Sequence, residues 1–319
     1  MCKFAKRLER PGAARVEAGL ALFFWARYET RQAASLGSMK ICSTIPETRA
    51  ASRDARSGGK RLGLVPTMGA LHEGHLSLVR AAKARSDAVA VSIFVNPTQF
   101  GPTEDLSKYP RQFDRDCQLL EKEGIEILFA PSVDEIYPQN QATWVVVEGL
   151  SEKLDGRSRP GHFRGVTTIV AKLFHIIEPD AAFFGQKDAA QLALIRRMVQ
   201  DLNFRIEVVA CPIVRESDGL AMSSRNAYLN REERGRALLL QRSLQHVQRE
   251  FQNGERVAAK LISAAKEVFA RDAQVVLDYF EIVDPDTLDP VERISQKTLV
   301  AVAAYVGSTR LIDNLVLNS

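Results

Sequence analysis

The stretch Arg61-Leu62-Gly63-Leu64-Val65-Pro66-Thr67-Met68-Gly69-Ala70-Leu71-His72-Glu73-Gly74-His75-Leu76-Ser77-Leu78-Val79-Arg80-Ala81-Ala82 decides the fold. It opens as a short apolar strand, passes through a glycine-containing loop and closes as an amphipathic helix. The alternation continues downstream. Residues 88 to 95 form a nearly continuous apolar run, as a parallel strand covered on both faces requires. A helix is predicted over 113 to 123 and a strand over 125 to 129. The segment 165 to 177 carries Val166, Ile169, Val170, Leu173, Phe174 and Ile177 at helical spacing. A strand over 181 to 184, a helix over 189 to 201 and a strand over 206 to 210 complete the series. This βαβ order predicts an α/β fold, a Rossmann-like doubly wound parallel sheet.

Beyond about Pro212 the pattern changes. Two helices are expected over 232 to 251 and 257 to 270, broken by Asn253-Gly254, followed by strands over 275 to 283, 299 to 306 and 311 to 317. The chain therefore divides into an extension (1–38), a catalytic, nucleotide-binding unit (39–212) and a smaller α+β C-terminal unit acting as a lid (213–319).

Composition narrows the function. The chain has 319 residues, 45% hydrophobic and 26% charged, which is enough for a sizeable core and more than one domain. Its net charge of +4 is matched by the first 38 residues, which hold seven Lys/Arg and three Glu, so the rest is formally neutral. That excludes a basic nucleic-acid footprint on the body of the protein. No apolar run approaches the ~20 residues that cross a bilayer. Cys2, Cys42, Cys117 and Cys211 are scattered, with no C-x-x-C pair, which argues against a disulfide framework or zinc site and for a cytoplasmic setting. The lead before the short apolar run 20–26 is long and contains Glu9 and Glu17, which does not fit a signal peptide. Domain-like sequence begins at Met39, and the extension is expected to contribute nothing to function.

Four clusters carry the chemistry. In the first, Met68-Gly69-Ala70-Leu71-His72-Glu73-Gly74-His75, a strand meets a helix at the carboxyl edge of the sheet, where such folds bind ligands. Gly69 and Gly74 permit close backbone approach, and free N–H groups at the helix start favour an anion. His72 and His75, as N–H donors or imidazolium, suit charge developing on a departing pyrophosphate. A metal pair is disfavoured, because no third ligand has suitable local spacing. The second cluster is Met222-Ser223-Ser224-Arg225-Asn226, a polar, donor-rich turn when taken alone. The third is Gly185-Gln186-Lys187-Asp188, again between strand and helix, with Gln191 one turn on from Lys187; its bland reading is a capped helix beside a solvated lysine. The fourth is Asn96-Pro97-Thr98-Gln99, where Gln99 offers a donor and an acceptor without charge.

An H-x-G-H loop followed by a serine-rich mobile loop is similar to the nucleotidyltransferases and class I aminoacyl-tRNA synthetases, with Ala221 where the synthetase loop has lysine. Together with Tyr109-Pro110-Arg111 and Arg159-Pro160-Gly161-His162-Phe163-Arg164-Gly165-Val166, the four clusters from Met39 onward closely resemble the pantothenate synthetase (pantoate–β-alanine ligase) family. The resemblance implies ATP-dependent joining of pantoate and β-alanine through a pantoyl adenylate, with Mg²⁺, in a homodimer. It also implies site residues: the eight residues of the first cluster, Gly185 to Asp188, Val214 and Met222 to Arg225 around ATP, with His75 as acid and His72 its partner. Lys187 and Arg225 would neutralise phosphates, Gln99 would contact pantoate and β-alanine, Gln191 would contact pantoate, and Asp116 would be a magnesium contact. Arg159 and the loop 160–166 would gate the pocket. The competing reading is another H-x-G-H enzyme such as a nicotinamide-nucleotide adenylyltransferase, whose phosphate-ester substrate would demand cations where this chain has Asn96 and Gln99. A protein starting at Met39 should keep full AMP-forming activity with ATP, pantoate and β-alanine; lost turnover would give residues 1–38 a role.

Overall fold

A computed structural model describes residues 39–318 apart from Thr103; the expectation for residues 1–38 lies outside the described residues. Strands β1 (Lys40–Cys42), β2 (Leu62–Thr67), β3 (Ala88–Ile93), β4 (Ile127–Phe129), β5 (Ala181–Gly185) and β6 (Glu207–Cys211) form one parallel sheet in the order β1-β4-β3-β2-β5-β6. The long helices connecting them are α1 (Ile45–Ala55), α2 (Glu73–Lys83), α3 (Phe113–Glu123), α4 (His162–Ile177) and α5 (Ala189–Asp201). The α/β expectation holds. β1 and α1 precede the first element read from the sequence. A three-residue strand is too short to show a period, and α1 is marked mainly by its Thr44–Glu47 capping box.

The apolar runs are continuous because both faces of the sheet are covered. Leu62, Leu64, Ala88, Ala90, Ala182 and Phe184 point to one core, with Val166, Ile169, Val170 and Leu173 of α4. Their alternates Val65, Val89, Val91, Ala181 and Phe183 point to the other, with Leu78 and Val79 of α2 and Leu120 of α3.

Helices α6 (Arg231–Gln252) and α7 (Ala258–Phe269) lead into an antiparallel sheet of β7 (Val275–Val283), β8 (Thr298–Val306) and β9 (Thr309–Leu317). The same alternation operates here. Phe280, Ile282, Val300 and Val302 pack with Leu240, Leu244 and Leu261 of the two helices. Tyr279, Val283, Ala301 and Ala303 join the core of the larger sheet.

The sheet order places the site. From β2 the chain runs outward through β3 to β4, then returns to the other side of β2 as β5. The strand order reverses there, so the loops leaving β2 and β5 splay apart and leave a crevice at their carboxyl ends. The segment 162–166, expected as part of a gating loop, is instead the first turn of α4. The helix begins at His162 because Gly161, at φ +84°, turns the chain into it.

Gly165 on α4 lies where that helix meets the turn Pro97–Gln99, and a Cβ there would sit 2.5 Å from the Thr98 carbonyl oxygen and 2.6 Å from the Gln99 nitrogen. Gly165→Ala should therefore cost about 1–3 kcal/mol. Urea unfolding checks this, and an unchanged midpoint would show that the two segments can separate.

Candidate active site

The loop leaving β2 is held from below. The Thr67 hydroxyl donates to the Ser92 carbonyl at 2.7 Å and accepts the Gly69 N–H at 3.2 Å. Gly69 sits at φ +81° and Ala70 at φ +51°, left-handed positions that turn the chain sharply toward α2. The Ala70 and Leu71 N–H groups each donate at 2.8 Å to one oxygen of Asp116, which is 1% exposed on α3. Burial raises the proton affinity of Asp116, and these two bonds oppose that rise.

Asp116 is therefore a loop anchor, and the magnesium contact expected of it is not supported. Both oxygens are engaged and shielded, and no cluster of three His, Cys, Asp or Glu able to hold a metal occurs among the described residues. The residues present do not form a protein cage for a divalent ion.

The amides of Gly69, Ala70 and Leu71 are thus spent within the protein. The His72 N–H faces Nδ1 of His75 at 3.3 Å, and the His75 N–H bonds the His72 carbonyl at 2.8 Å. The Glu73 and Gly74 N–H groups, which open α2, have no acceptor among the described residues. They are the donors available to an anion, where the helix dipole adds its partial positive charge. Gly74 is required for a reason beyond ligand access. A Cβ there would lie 2.9 Å from the His72 imidazole, which occupies that space. The Glu73 side chain turns away to pair with Arg80, and Leu71 is buried in the core.

The two imidazoles lie with ring centroids 4.0 Å apart. Burial lowers the pKa of His72 to about 4, helped by the charges of Lys187 and Arg115. Burial lowers that of His75 to about 3, helped by His72 and Lys187. Both rings are neutral at pH 7. Since Nδ1 of His75 accepts the His72 N–H, its proton resides on Nε2. Nδ1 of His72 is buried with no hydrogen-bond partner among the described residues.

The other clusters converge on this loop. Ser224 Oγ donates to the Ala70 carbonyl at 3.3 Å, and Met222 Cβ lies 3.6 Å from where a Gly74 Cβ would stand. Met222 N bonds the Val214 carbonyl at 3.0 Å, and Ser223 Oγ accepts the Arg225 N–H at 3.3 Å. Arg225 is not free for phosphate: its guanidinium grips Asp105 through two bonds of 3.1 and 3.0 Å. Lys187, in the turn Gln186–Asp188, forms no ion pair among the described residues, and its charge acts on both imidazoles. Gln191 is half-buried, in the first turn of α5.

Gln99 is buried and oriented. Its Oε1 accepts from Asn96 Nδ2 at 3.0 Å, leaving Nε2 against the Met68 sulfur, a weak acceptor, at 3.0 Å. Asn96 is locked in turn by Tyr137 and by the Gly165 carbonyl. Gln99 thus presents its donor end. Arg159 is tied to Glu104 at 2.8 and 2.7 Å and contacts Nε2 of His162, whose Nδ1–H donates to the Gln99 carbonyl at 2.7 Å.

Several supporting residues escaped the sequence reading. Asn314 on β9 donates to the carbonyls of Gln186 and Lys187 at 2.9 and 2.8 Å, fixing the turn that carries Lys187. Its neighbour Asp313 holds Arg215 at 2.7 and 3.0 Å, at the base of the hairpin leading to Met222. Both are 3% exposed, and the sequence signal was a polar pair interrupting an otherwise apolar strand. Glu104 and Asp105 gave no such signal.

Known proteins share both the sequence and the fold. The family model for pantoate-beta-alanine ligase matches residues 40–316. A pantothenate synthetase of Koribacter versatilis (strain Ellin345) is 59% identical over 281 residues, covering 88% of this chain and 97% of that protein. The crystal structure of a pantothenate synthetase from Thermus thermophilus matches with a TM-score of 0.83 at 46% identity, over 87% of this chain and 99% of that one. A pantoate-beta-alanine ligase from Francisella tularensis, solved in complex with beta-gamma ATP and beta-alanine, matches with a TM-score of 0.70 at 32% identity, over 87% of this chain and 97% of that one. By sequence and by fold, this chain belongs to the pantoate–β-alanine ligase family.

Proposed function

We propose that the chain joins pantoate to β-alanine at the expense of ATP, through a pantoyl adenylate. A pantoate carboxylate oxygen attacks the α-phosphorus while its bond to the bridging oxygen breaks, and pyrophosphate leaves with that electron pair. The β-alanine amine then attacks the acyl carbon and loses a proton, and AMP departs with the carbon–oxygen bonding pair. The observation that carries the reading is the convergence of His72, His75, Lys187 and the segment 222–225 on two unpaired N–H groups at the start of α2. Such a constellation stabilises negative charge on phosphate, and its Ser223 and Ser224 hydroxyls are engaged with backbone groups, so positioning and electrostatics supply the rate.

The residues take roles accordingly. His75 offers Nε2–H to the departing oxygen. Being neutral in the free protein, it acts as a proton donor only after an arriving triphosphate has raised its proton affinity. His72 packs against it and offers its remaining hydrogen-bonding capacity. Lys187 neutralises phosphate, and Arg225 joins once it exchanges Asp105 for the triphosphate. Gln99 donates to a substrate oxygen, and Gln191 completes the pantoate side. Magnesium would arrive as the counter-ion of the triphosphate, and no step is assigned to it. Closing of the lid falls to the segment 213–226, since the sheet beyond it shares an apolar core with the larger sheet.

A cytoplasmic setting is supported by Cys42 and Cys211, buried thiols in no disulfide among the described residues. Assembly as a homodimer is supported by the segment 141–147, which lies outside helix and strand and exposes Trp144 at 38% and Val146 at 50%. Val146→Asp should lower the mass seen by light scattering, and a parental mass would move the contact elsewhere.

The decisive assay is AMP formation from ATP and pantoate that depends on β-alanine; its absence would end this reading. His75→Ala should slow pyrophosphate release about 10²-fold or more, and near-normal release would remove His75 from the chemistry. Lys187→Ala should impair adenylate formation more than amine attack on preformed adenylate, and equal losses would refute its phosphate role. The unliganded imidazoles of His72 and His75 should not titrate by NMR between pH 6 and 8. Unfolded rings take up a proton near pH 6.5 and folded ones only at about 4 and 3, so these groups make stability fall as pH drops below 6.5. A His72→Gln, His75→Gln double variant should show a flatter melting profile over that interval.

A further inference from the structure

Around the cleft, nearly every arginine already has a carboxylate. Arg80 pairs with Glu73 and Glu123, Arg159 with Glu104, Arg215 with Asp313 and Arg225 with Asp105. Arg115, in the first turn of α3, does not: no carboxylate lies within ion-pair range of it among the described residues. Its Nη1 donates to the Leu71 carbonyl at 3.1 Å and to Gln112 Oε1 at 3.0 Å. The guanidinium is therefore laid along the outer side of the H-x-G-H loop, with most of its N–H donors still available. Its charge reaches His72, as does that of Lys187 from the β5 side.

Two cations without an ion pair among the described residues, on separate elements, thus act on one imidazole, against the opposing charges of Asp188 and Glu216, and its buried Nδ1 has no partner among the described residues. The Glu73 and Gly74 N–H groups, next to His72 in the chain, also have no acceptor among the described residues. A single carboxylate would engage one such cation. An elongated anion with several charges would engage both, and would supply an acceptor or donor for the orphan nitrogen.

We propose that Arg115 is a ligand of the terminal phosphates of ATP, and so of the departing pyrophosphate, gripping them from the side opposite Lys187. This rests on the reading of the cleft as an ATP site and names a cation that the sequence motifs did not. Negative charge on the β- and γ-phosphates grows as the bond to the α-phosphorus breaks, and a guanidinium beyond the imidazoles stabilises it without transferring a proton.

The test compares the parent with Arg115→Gln and Arg115→Lys, both at an exposed helical position. For Arg115→Gln, KM for ATP should rise about 10-fold, as expected for losing one charge-assisted contact. Inhibition by pyrophosphate should weaken by a similar factor. Inhibition by AMP and KM for β-alanine should stay at the parental values, and Arg115→Lys should recover most of the loss. A KM for ATP within twofold of the parent would make Arg115 a solvated rim residue. Equal weakening toward AMP and pyrophosphate would mean that it merely props the Leu71 loop. Calorimetric titration with pyrophosphate gives the same comparison without turnover. Should the parent form no AMP, the ATP-site reading fails, while the calorimetric difference still decides whether Arg115 holds a polyphosphate.

Discussion

A single buried carboxylate organises the site. Asp116 takes one N–H from Ala70 and one from Leu71, and in doing so bends the chain from the end of β2 into α2. The left-handed conformations at Gly69 and Ala70 are strained for ordinary side chains, and a two-oxygen clamp with no solvent competition offsets that strain. With those amides consumed inside, the N–H groups of Glu73 and Gly74 are left as the helix's open end. Buried Asp116, with both oxygens engaged, decides where the helix begins, where the imidazoles stand and which amides remain for a ligand.

The electrostatics follow from the same enclosure. Burial keeps His72 and His75 neutral, with the cationic charge of Lys187 pressing both in the same direction. A pair of neutral N–H donors beside cations held in no ion pair is suited to a polyanion that brings its own charge. Meanwhile Glu104 and Asp105 hold Arg159 and Arg225 across the mouth, so part of the positive charge in the cleft is internally balanced until an anion competes for it.

The smaller sheet contributes more than bulk. One face of β7 and β8 completes the core beneath the larger sheet, which fixes where β9 lies. From there Asn314 secures the Lys187 turn and Asp313 secures Arg215 at the root of the hairpin that delivers Met222 to Arg225. Two motifs separated by some thirty-five residues are thus held in register by adjacent side chains on one strand.

The sequence by itself determined the element types and the reactive groups. Apolar alternation has a period that local sterics and burial impose, so the strands from 62 onward and helices such as 113–123 and 189–201 were legible within a residue or two. So were the H-x-G-H loop, the Met-Ser-Ser-Arg loop, Lys187 and Gln99, because their unusual residues stand together in the chain. What only the tertiary structure decided is which side of each group faces which neighbour. That Asp116 anchors a loop, that Arg225 and Arg159 are occupied, that α4 begins at His162 and that Asn314 reaches the β5 turn are consequences of strand order and close packing. Such contacts join residues far apart in sequence, where no local period carries a signal.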